Sequence, residues 1–229
     1  MKIKAKLKSI SQYGTFFKDK SVVLPISVGQ LYHEEGKFSA TLETIQQRFV
    51  KCDIVIADTL QRYNFSNESP EVKLIEKTRQ LGTDWLERNQ VYLDNFLLPY
   101  KIIRWEECIL WSGFKQCLEI VKNFYQTNRT YQLAIQQDIN AFAKRKRYSH
   151  TDNIEEFTAK CLAYLFEETA VMLSYFVDHE YHYIIYPTAI PQSVAQIRDA
   201  FVFPKHPNLL QNLEIHFKKI NRSIKHEAF

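Results

Sequence analysis

Ser27, Tyr164 and Glu168 are the residues whose types and spacing could do chemistry. Ser27 closes the run S-V-V-L-P-I-S, in which Val22, Val23, Leu24 and Ile26 are apolar, with Asp19-Lys20 before it and Gly29 after it. An apolar run this short reads as a buried strand of an α/β sheet. The C-terminal edge of such a sheet is where ligands bind, because the departing loops form the crevice there. A serine at that edge could act as a nucleophile, cap a helix or close a turn, and Gly29 allows the chain to turn sharply beside it. Tyr164 and Glu168 lie four residues apart, one turn along the same helix face. Among Leu162, Leu165, Phe166, Val171 and Met172, a carboxylate turned inward needs a proton or a cation. A bound ammonium would supply the cation. So would a lysine of the chain, and a surface position would remove the need.

The elements that must position these residues follow from hydrophobic period. Residues 3–8 alternate apolar side chains with lysines, as an edge strand with one wet face does. The Ser27 strand comes after Gly14. Then Phe38, Leu42, Ile45 and Phe49 mark an amphipathic helix over 37–51, and C-D-I-V-I-A-D-T over 52–59 marks a second buried strand. Strand, helix, strand at this spacing is a βαβ unit with parallel strands, which puts Asp58 and Thr59 on the same edge as Ser27. Asn67 to Pro70 read as a loop and helix start. A helix over 70–95 carries Lys73, Lys77 and Arg88 as a stripe interrupted by Asp84. A third strand is expected over 100–105, with Glu106 and Glu107 beyond it. Helices are expected over 113–126, 129–147 and 154–177, then a strand over 181–186 closed by Pro187. A helix over 192–201 and a basic helix over 208–223 complete the chain. The pattern predicts a single α/β domain over residues 1–229, with a parallel sheet flanked by helices.

The chain has 229 residues, 45% hydrophobic and 24% charged, enough for a sizeable core. Its 16 Phe and 13 Tyr could line an apolar pocket, but core packing accounts for most aromatics. The net charge of +4 is mild and does not by itself imply a polyanion. Three clusters stand out: Lys2, Lys4, Lys6 and Lys8; Lys144 to Arg147; and Lys218, Lys219, Arg222 and Lys225. Each is either a phosphate-contacting patch or a solvated face. Cys52, Cys108, Cys117 and Cys161 lack the spacing of a zinc site or a disulfide framework. Free thiols of a cytoplasmic protein are expected, with no membrane segment.

Taken together, these pieces resemble the tRNA-dependent cyclodipeptide synthases. That family carries H-x-[LVI]-[LVI]-G-[LVI]-S on a strand and Y-[LVI]-x-x-E-x-P on a later helix. Here the corresponding stretches are Ser21 to Ser27 and Tyr164-Leu165-Phe166-Glu167-Glu168-Thr169-Ala170. Ser27, Tyr164 and Glu168 match the reactive positions, while Ser21, Pro25 and Ala170 depart from the pattern. One subfamily has Asn three residues after the serine and a later Tyr-His pair; the other varies the first position and has Tyr-Pro. With Gln30 and Tyr186-Pro187, this chain is similar to the Tyr-Pro subfamily.

The resemblance implies a Rossmann-like fold similar to the catalytic domain of tyrosyl- and tryptophanyl-tRNA synthetases, but the HIGH and KMSKS motifs of those enzymes are missing. It implies a monomer that takes two aminoacyl-tRNAs as substrates, with no cofactor and no metal. Ser27 would accept the first aminoacyl group. Glu168 with Tyr164 would hold its α-ammonium, and Tyr186 would lie near Ser27 as a hydrogen-bond donor or proton relay. Val23 and Pro25 would line the aminoacyl pocket, and Gly29 and Gln30 would continue the catalytic loop. The product would be a 2,5-diketopiperazine, formed by a ping-pong mechanism through aminoacyl- and dipeptidyl-serine. Two other functions compete with this one. One is a non-catalytic tRNA-binding adaptor with a synthetase-like fold. The other is a serine hydrolase of small esters, which would need His33 or His182 as its base.

Overall fold

The computed structural model describes residues 2–8, 17, 19–65, 70–146 and 153–220. The stretches around Gly14 and Asn67 to Ser69, Arg147, and the tail that holds Arg222 and Lys225 lie outside the described residues. In chain order the elements are β1 (Lys2–Leu7), β2 (Ser21–Ile26), α1 (Glu35–Gln46), β3 (Lys51–Ile56), α2 (Glu71–Asp94), β4 (Tyr100–Arg104), α3 (Trp105–Cys108), α4 (Phe114–Thr127), α5 (Arg129–Lys146), α6 (Ile154–Ser174), β5 (Tyr183–Tyr186), α7 (Gln192–Phe201) and β6 (Gln211–Ile220). Short 3-10 segments at Leu31–His33 and Thr59–Asn64 follow β2 and β3.

The six strands form one sheet in the order β1-β6-β5-β2-β3-β4. β6, β5, β2, β3 and β4 run parallel, and β1 closes the edge antiparallel to β6. Alternation along β2 sorts the core into two layers, as strand geometry requires. Val22, Leu24 and Ile26 join Phe38, Leu42 and Ile45 of α1 and Trp85 and Leu93 of α2 on one face. Val23 faces the other layer, where α4 to α7 contribute Val121, Ile135, Leu165 and Ile197. After β2 the chain adds β3 and β4 to one side; β5 returns to the other side of β2. The ends of β2 and β5 therefore meet at the point where strand order reverses, which is where open α/β sheets bind ligands.

The basic helix expected over 208–223 is instead a strand over its described part. Leu213, Ile215 and Phe217 alternate with Asn212, Glu214, His216 and Lys218, a period of two that seats the apolar set against α1 and β5. Two shorter differences sit at element ends. Trp105 to Cys108 turn helical, with the Glu107 carboxylate accepting from the Arg104 backbone N–H at 2.8 Å. α6 stops at Ser174 and continues as a single wider π turn, Tyr175–His179.

Candidate functional site

Ser27 is half-buried just past the end of β2. Its Oγ lies 2.7 Å from the Tyr186 hydroxyl at the end of β5, and that hydroxyl lies 3.0 Å from the Tyr32 hydroxyl. Three hydroxyls thus form a chain across the switch point. Tyr32 sits in the 3-10 segment entered through Gly29, whose φ of 84° favours glycine. Gly29 and Gln30 are exposed, Pro25 is half-buried, and Val23 is fully enclosed in the core and presents no accessible surface.

Tyr186 lies in a pocket of aromatic rings. The rings of Tyr32 and His33 flank it at 5.8 and 5.5 Å between centroids. Burial, then the neighbouring Tyr32, push its phenol further above the ordinary value, against the opposing hydrogen bond from Ser27. A phenol held neutral in this way donates or relays hydrogen bonds but does not act as a base near pH 7. The Tyr32 phenol is also raised, by burial first; the Arg145 guanidinium at the end of α5 pulls the other way.

The second half of the site comes from α6. Its N-terminus is set by the Asn153 side chain, which accepts from the Glu156 backbone N–H at 3.2 Å. Tyr164 and Glu168 share one face, with the Tyr164 hydroxyl donating to Glu168 Oε1 at 3.5 Å. Glu168 is closely surrounded by protein yet keeps some accessible surface, as a carboxyl in a recess does. Burial pushes its pKa up to about 7, the Tyr164 hydrogen bond opposing. No Lys, Arg or His among the described residues pairs with it. Its charge reaches the phenols of both Tyr32 and Tyr186, so the α6 pair and the hydroxyl chain belong to one electrostatic neighbourhood.

Sequence reasoning overlooked what holds α6 in place. Glu167, next to Glu168 but about 100° around the helix, accepts from Arg62 Nη1 at 2.9 Å and Nη2 at 2.5 Å, from the Tyr63 hydroxyl at 2.9 Å and from Trp105 Nε1 at 2.8 Å. The 3-10 segment after β3 and the first turn after β4 are tied in this way to α6. Asp58, at the end of β3, is buried rather than presented to the site. It accepts from Thr59 N at 2.8 Å and Arg104 Nε at 2.5 Å. Gly82 of α2 passes so close that a Cβ there would meet Asp58 Oδ2 at 2.5 Å. The only advance signal was that two adjacent helical acids cannot share one environment; nothing in the sequence pointed to Tyr32.

Neither histidine suits a hydrolytic triad. The His182 ring faces Ser21 Oγ at 3.3 Å, at the opposite end of β2. His33 is buried, burial pushes its imidazole down to about 3, and its Nε2 has no hydrogen-bond partner among the described residues. Among those residues no group of three His, Cys, Asp or Glu could hold a metal. No described helix is long and apolar enough to cross a membrane.

The fold and the position of this cluster define a Rossmann-like α/β protein of the class that solved cyclodipeptide synthases share. No family model matches the sequence, nor does any curated protein. Among solved structures, a cyclodipeptide synthase from Fluoribacter dumoffii is similar over 96% of this chain and 99% of its own, with a TM-score of 0.90 and 29% identity. A cyclodipeptide synthase from Candidatus Glomeribacter gigasporarum, solved bound to Phe-tRNAPhe, covers 97% of this chain and 100% of its own, with a TM-score of 0.74 and 21% identity. A Mycobacterium tuberculosis protein described as demonstrating that cyclodipeptide synthetases are related to type I tRNA synthetases matches 95% of this chain and 94% of its own, at a TM-score of 0.61 and 10% identity.

Proposed function

We propose that this chain is a cytoplasmic, tRNA-dependent cyclodipeptide synthase of the Tyr-Pro subfamily, an aminoacyltransferase acting on two aminoacyl-tRNAs. The observation that carries the reading is the Ser27–Tyr186 hydroxyl contact of 2.7 Å at the strand switch point, in the neighbourhood of an inward carboxyl, raised by burial, that has no cation partner among the described residues. The likeness at 29% identity to a cyclodipeptide synthase, over nearly the whole of both chains, supports it.

In this mechanism Ser27 Oγ attacks the carbonyl of the first aminoacyl ester, and the ribose oxygen leaves with the proton the serine gives up. The ester is already activated, so a triad base is not required. Glu168, with Tyr164, holds the α-ammonium of that aminoacyl group, and Tyr186, kept neutral and itself held by the Tyr32 hydroxyl, orients the Ser27 hydroxyl directly. The Gly29 N–H is the backbone donor we assign to the tetrahedral oxyanion, since the Gln30 N–H donates to the Ser27 carbonyl at 3.2 Å. The amine of a second aminoacyl-tRNA then displaces Ser27 to give a tRNA-borne dipeptide, which returns to Ser27 by transesterification. Its terminal amine closes on the serine ester, an intramolecular step favoured by proximity, and regenerates Ser27 as the diketopiperazine leaves.

The test is incubation with a pool of charged bacterial tRNAs, followed by mass spectrometry of protein and small molecules. An aminoacyl adduct on Ser27 and a cyclic dipeptide, both lost in Ser27→Ala, are expected. Release of free amino acid without a dipeptide would instead mark a hydrolase, and tRNA binding without turnover an adaptor.

A further inference from the structure

The hydroxyl chain at the site ends on Tyr32, and Tyr32 follows a stretch that packing alone holds poorly. Gly29, Gln30 and Leu31, between it and Ser27, are exposed, Leu31 at 79%. A run of hydrogen bonds holds the stretch instead. The Ser27 carbonyl accepts from Gln30 N at 3.2 Å, the Gln30 carbonyl accepts from His33 N at 2.9 Å, and the His33 carbonyl accepts from Trp85 Nε1 at 2.9 Å. Trp85 is fully buried in α2, so the far end of the loop is anchored to a rigid element.

Glu34, the next residue, adds a second anchor. One carboxylate oxygen accepts from Arg88 Nη2 at 3.0 Å and the other from Asn89 Nδ2 at 3.1 Å. Asn89 is 1% exposed, and its amide is oriented by the Trp85 carbonyl, which accepts from the same Nδ2 at 2.9 Å. Trp85, Arg88 and Asn89 stand at i, i+3 and i+4 on one face of α2. All three donors converge on the two residues that follow Tyr32.

Helix formation does not call for this arrangement. Glu34 is the N-cap of α1, a position where a short polar side chain ordinarily accepts from the first backbone N–H groups, yet its side chain makes no such bond. Glu35, just after it, sits at φ 49°, in the left-handed region that disfavours a side chain. A forfeited cap and a strained residue therefore accompany the turn of Glu34 toward α2. What that turn secures is the place of Tyr32, whose hydroxyl lies 3.0 Å from that of Tyr186, itself 2.7 Å from Ser27 Oγ.

We propose that Glu34, held by Arg88 and Asn89, is a positioning residue for acyl transfer: it fixes the Tyr32 hydroxyl against Tyr186, and through Tyr186 the attacking Ser27 hydroxyl. The inference rests on the reading of Ser27 as the acylated nucleophile. Glu34 acts through Tyr32 and not on the substrate, so it sets the rate of acylation rather than the affinity for the ester.

The experiment takes the full chain through a double-mutant cycle of Glu34→Ala and Tyr32→Phe, with rapid-quench mass spectrometry of Ser27 acylation. The acyl donors are charged bacterial tRNA and p-nitrophenyl acetate. Glu34→Ala should slow acylation by about 10-fold with either donor, and by no more than Tyr32→Phe does, a small displacement of a positioned group being enough. KM for charged tRNA should stay within about two-fold. In the Tyr32→Phe background the same change should cost less than about two-fold, because the hydroxyl it positions is gone. Glu34→Gln, whose amide oxygen still accepts from Asn89, should recover most of the rate. Equal losses in both backgrounds, a loss confined to KM, or a parental rate in Glu34→Ala would overturn the inference. If Glu34→Ala does not fold, Arg88→Ala, on a half-exposed side chain, goes through the same cycle with an expected loss of about three-fold. A parent that shows the non-additive cycle with p-nitrophenyl acetate, yet forms no dipeptide from charged tRNA, defeats the synthase reading and leaves the clamp standing. Dipeptide formation with equal losses in both backgrounds does the reverse, and a parent that neither donor acylates overturns both.

Discussion

Replacing Glu168 by Gln should make the protein more stable and less active, with a pH dependence that follows from its surroundings. Burial lifts this carboxyl from its usual value of 4.5 to about 7. The folded-state value lies above the unfolded one, so the contribution of the neutral acid is fully present below pH 4.5 and is lost as pH rises through about 7. Each pKa unit is worth about 1.4 kcal/mol, so ionised Glu168 costs the unliganded fold about 3 kcal/mol at alkaline pH. The amide keeps the shape and still accepts from the Tyr164 hydroxyl, but carries no charge. For a chain of this size about 1 kcal/mol moves the melting midpoint by roughly 2–4 °C. Glu168→Gln should therefore melt roughly 5 °C or more above the parent at pH 8.5 and alongside it at pH 4. The same variant should acylate Ser27 at least about 100-fold more slowly, since a buried charge-assisted contact to the substrate ammonium is lost. Differential scanning fluorimetry across pH and intact-protein mass spectrometry read the two effects. An equal midpoint difference at both pH values would refute the burial argument, and parental acylation would refute the ammonium role.

Tyr186→Phe removes the hydroxyl that bridges Ser27 and Tyr32; rapid-quench acylation should slow by about 100-fold with little change in tRNA affinity, and Tyr32→Phe should show a smaller loss in the same direction. Arg62→Ala leaves the Glu167 carboxylate with only its Tyr63 and Trp105 donors and should cost about 3 kcal/mol in urea unfolding. The double change Arg62→Met with Glu167→Leu should cost less, and a larger cost would show that the pair is not a desolvated charge held by its partner.

The parts of the fold that could be read in advance are those whose signal is local. The apolar runs of β2 and β3 and the helical spacing of α1 stand out because both faces of a parallel strand, or one face of a helix, are buried. Ser27 could be placed at the sheet edge for that reason, and Tyr164 and Glu168 on one helix face by their spacing. β6 was misread because its charged ends hid an alternation that becomes decisive only beside β5 and β1, a non-local pairing. Tyr32 reaches Tyr186 across 154 residues of sequence, and Glu167 gathers donors from two segments far away in the chain. No spacing rule within a single window encodes contacts of that kind. Which of two neighbouring acids would be tied down and which left without a cation was decided by where β3 and β4 deliver Arg62 and Trp105.

The same arrangement explains why such a site would favour transfer over hydrolysis. Ser27 has a neutral phenol as its hydrogen-bond partner. The nearby imidazole of His33 faces its aromatic neighbours, Tyr32 and Tyr186, and has no hydrogen bond to the serine. Without a base aimed at the acyl group, water gains no activation there and remains a weak nucleophile. An incoming α-ammonium, once it has given up a proton, is a far stronger nucleophile than water and then needs only to be oriented. Introducing an imidazole in contact with the serine, as in Tyr186→His, should shift the outcome from dipeptide toward free amino acid. The ratio of the two products, measured on the same charged tRNA, is the readout, and an unchanged ratio would mean that something other than the missing base keeps water out.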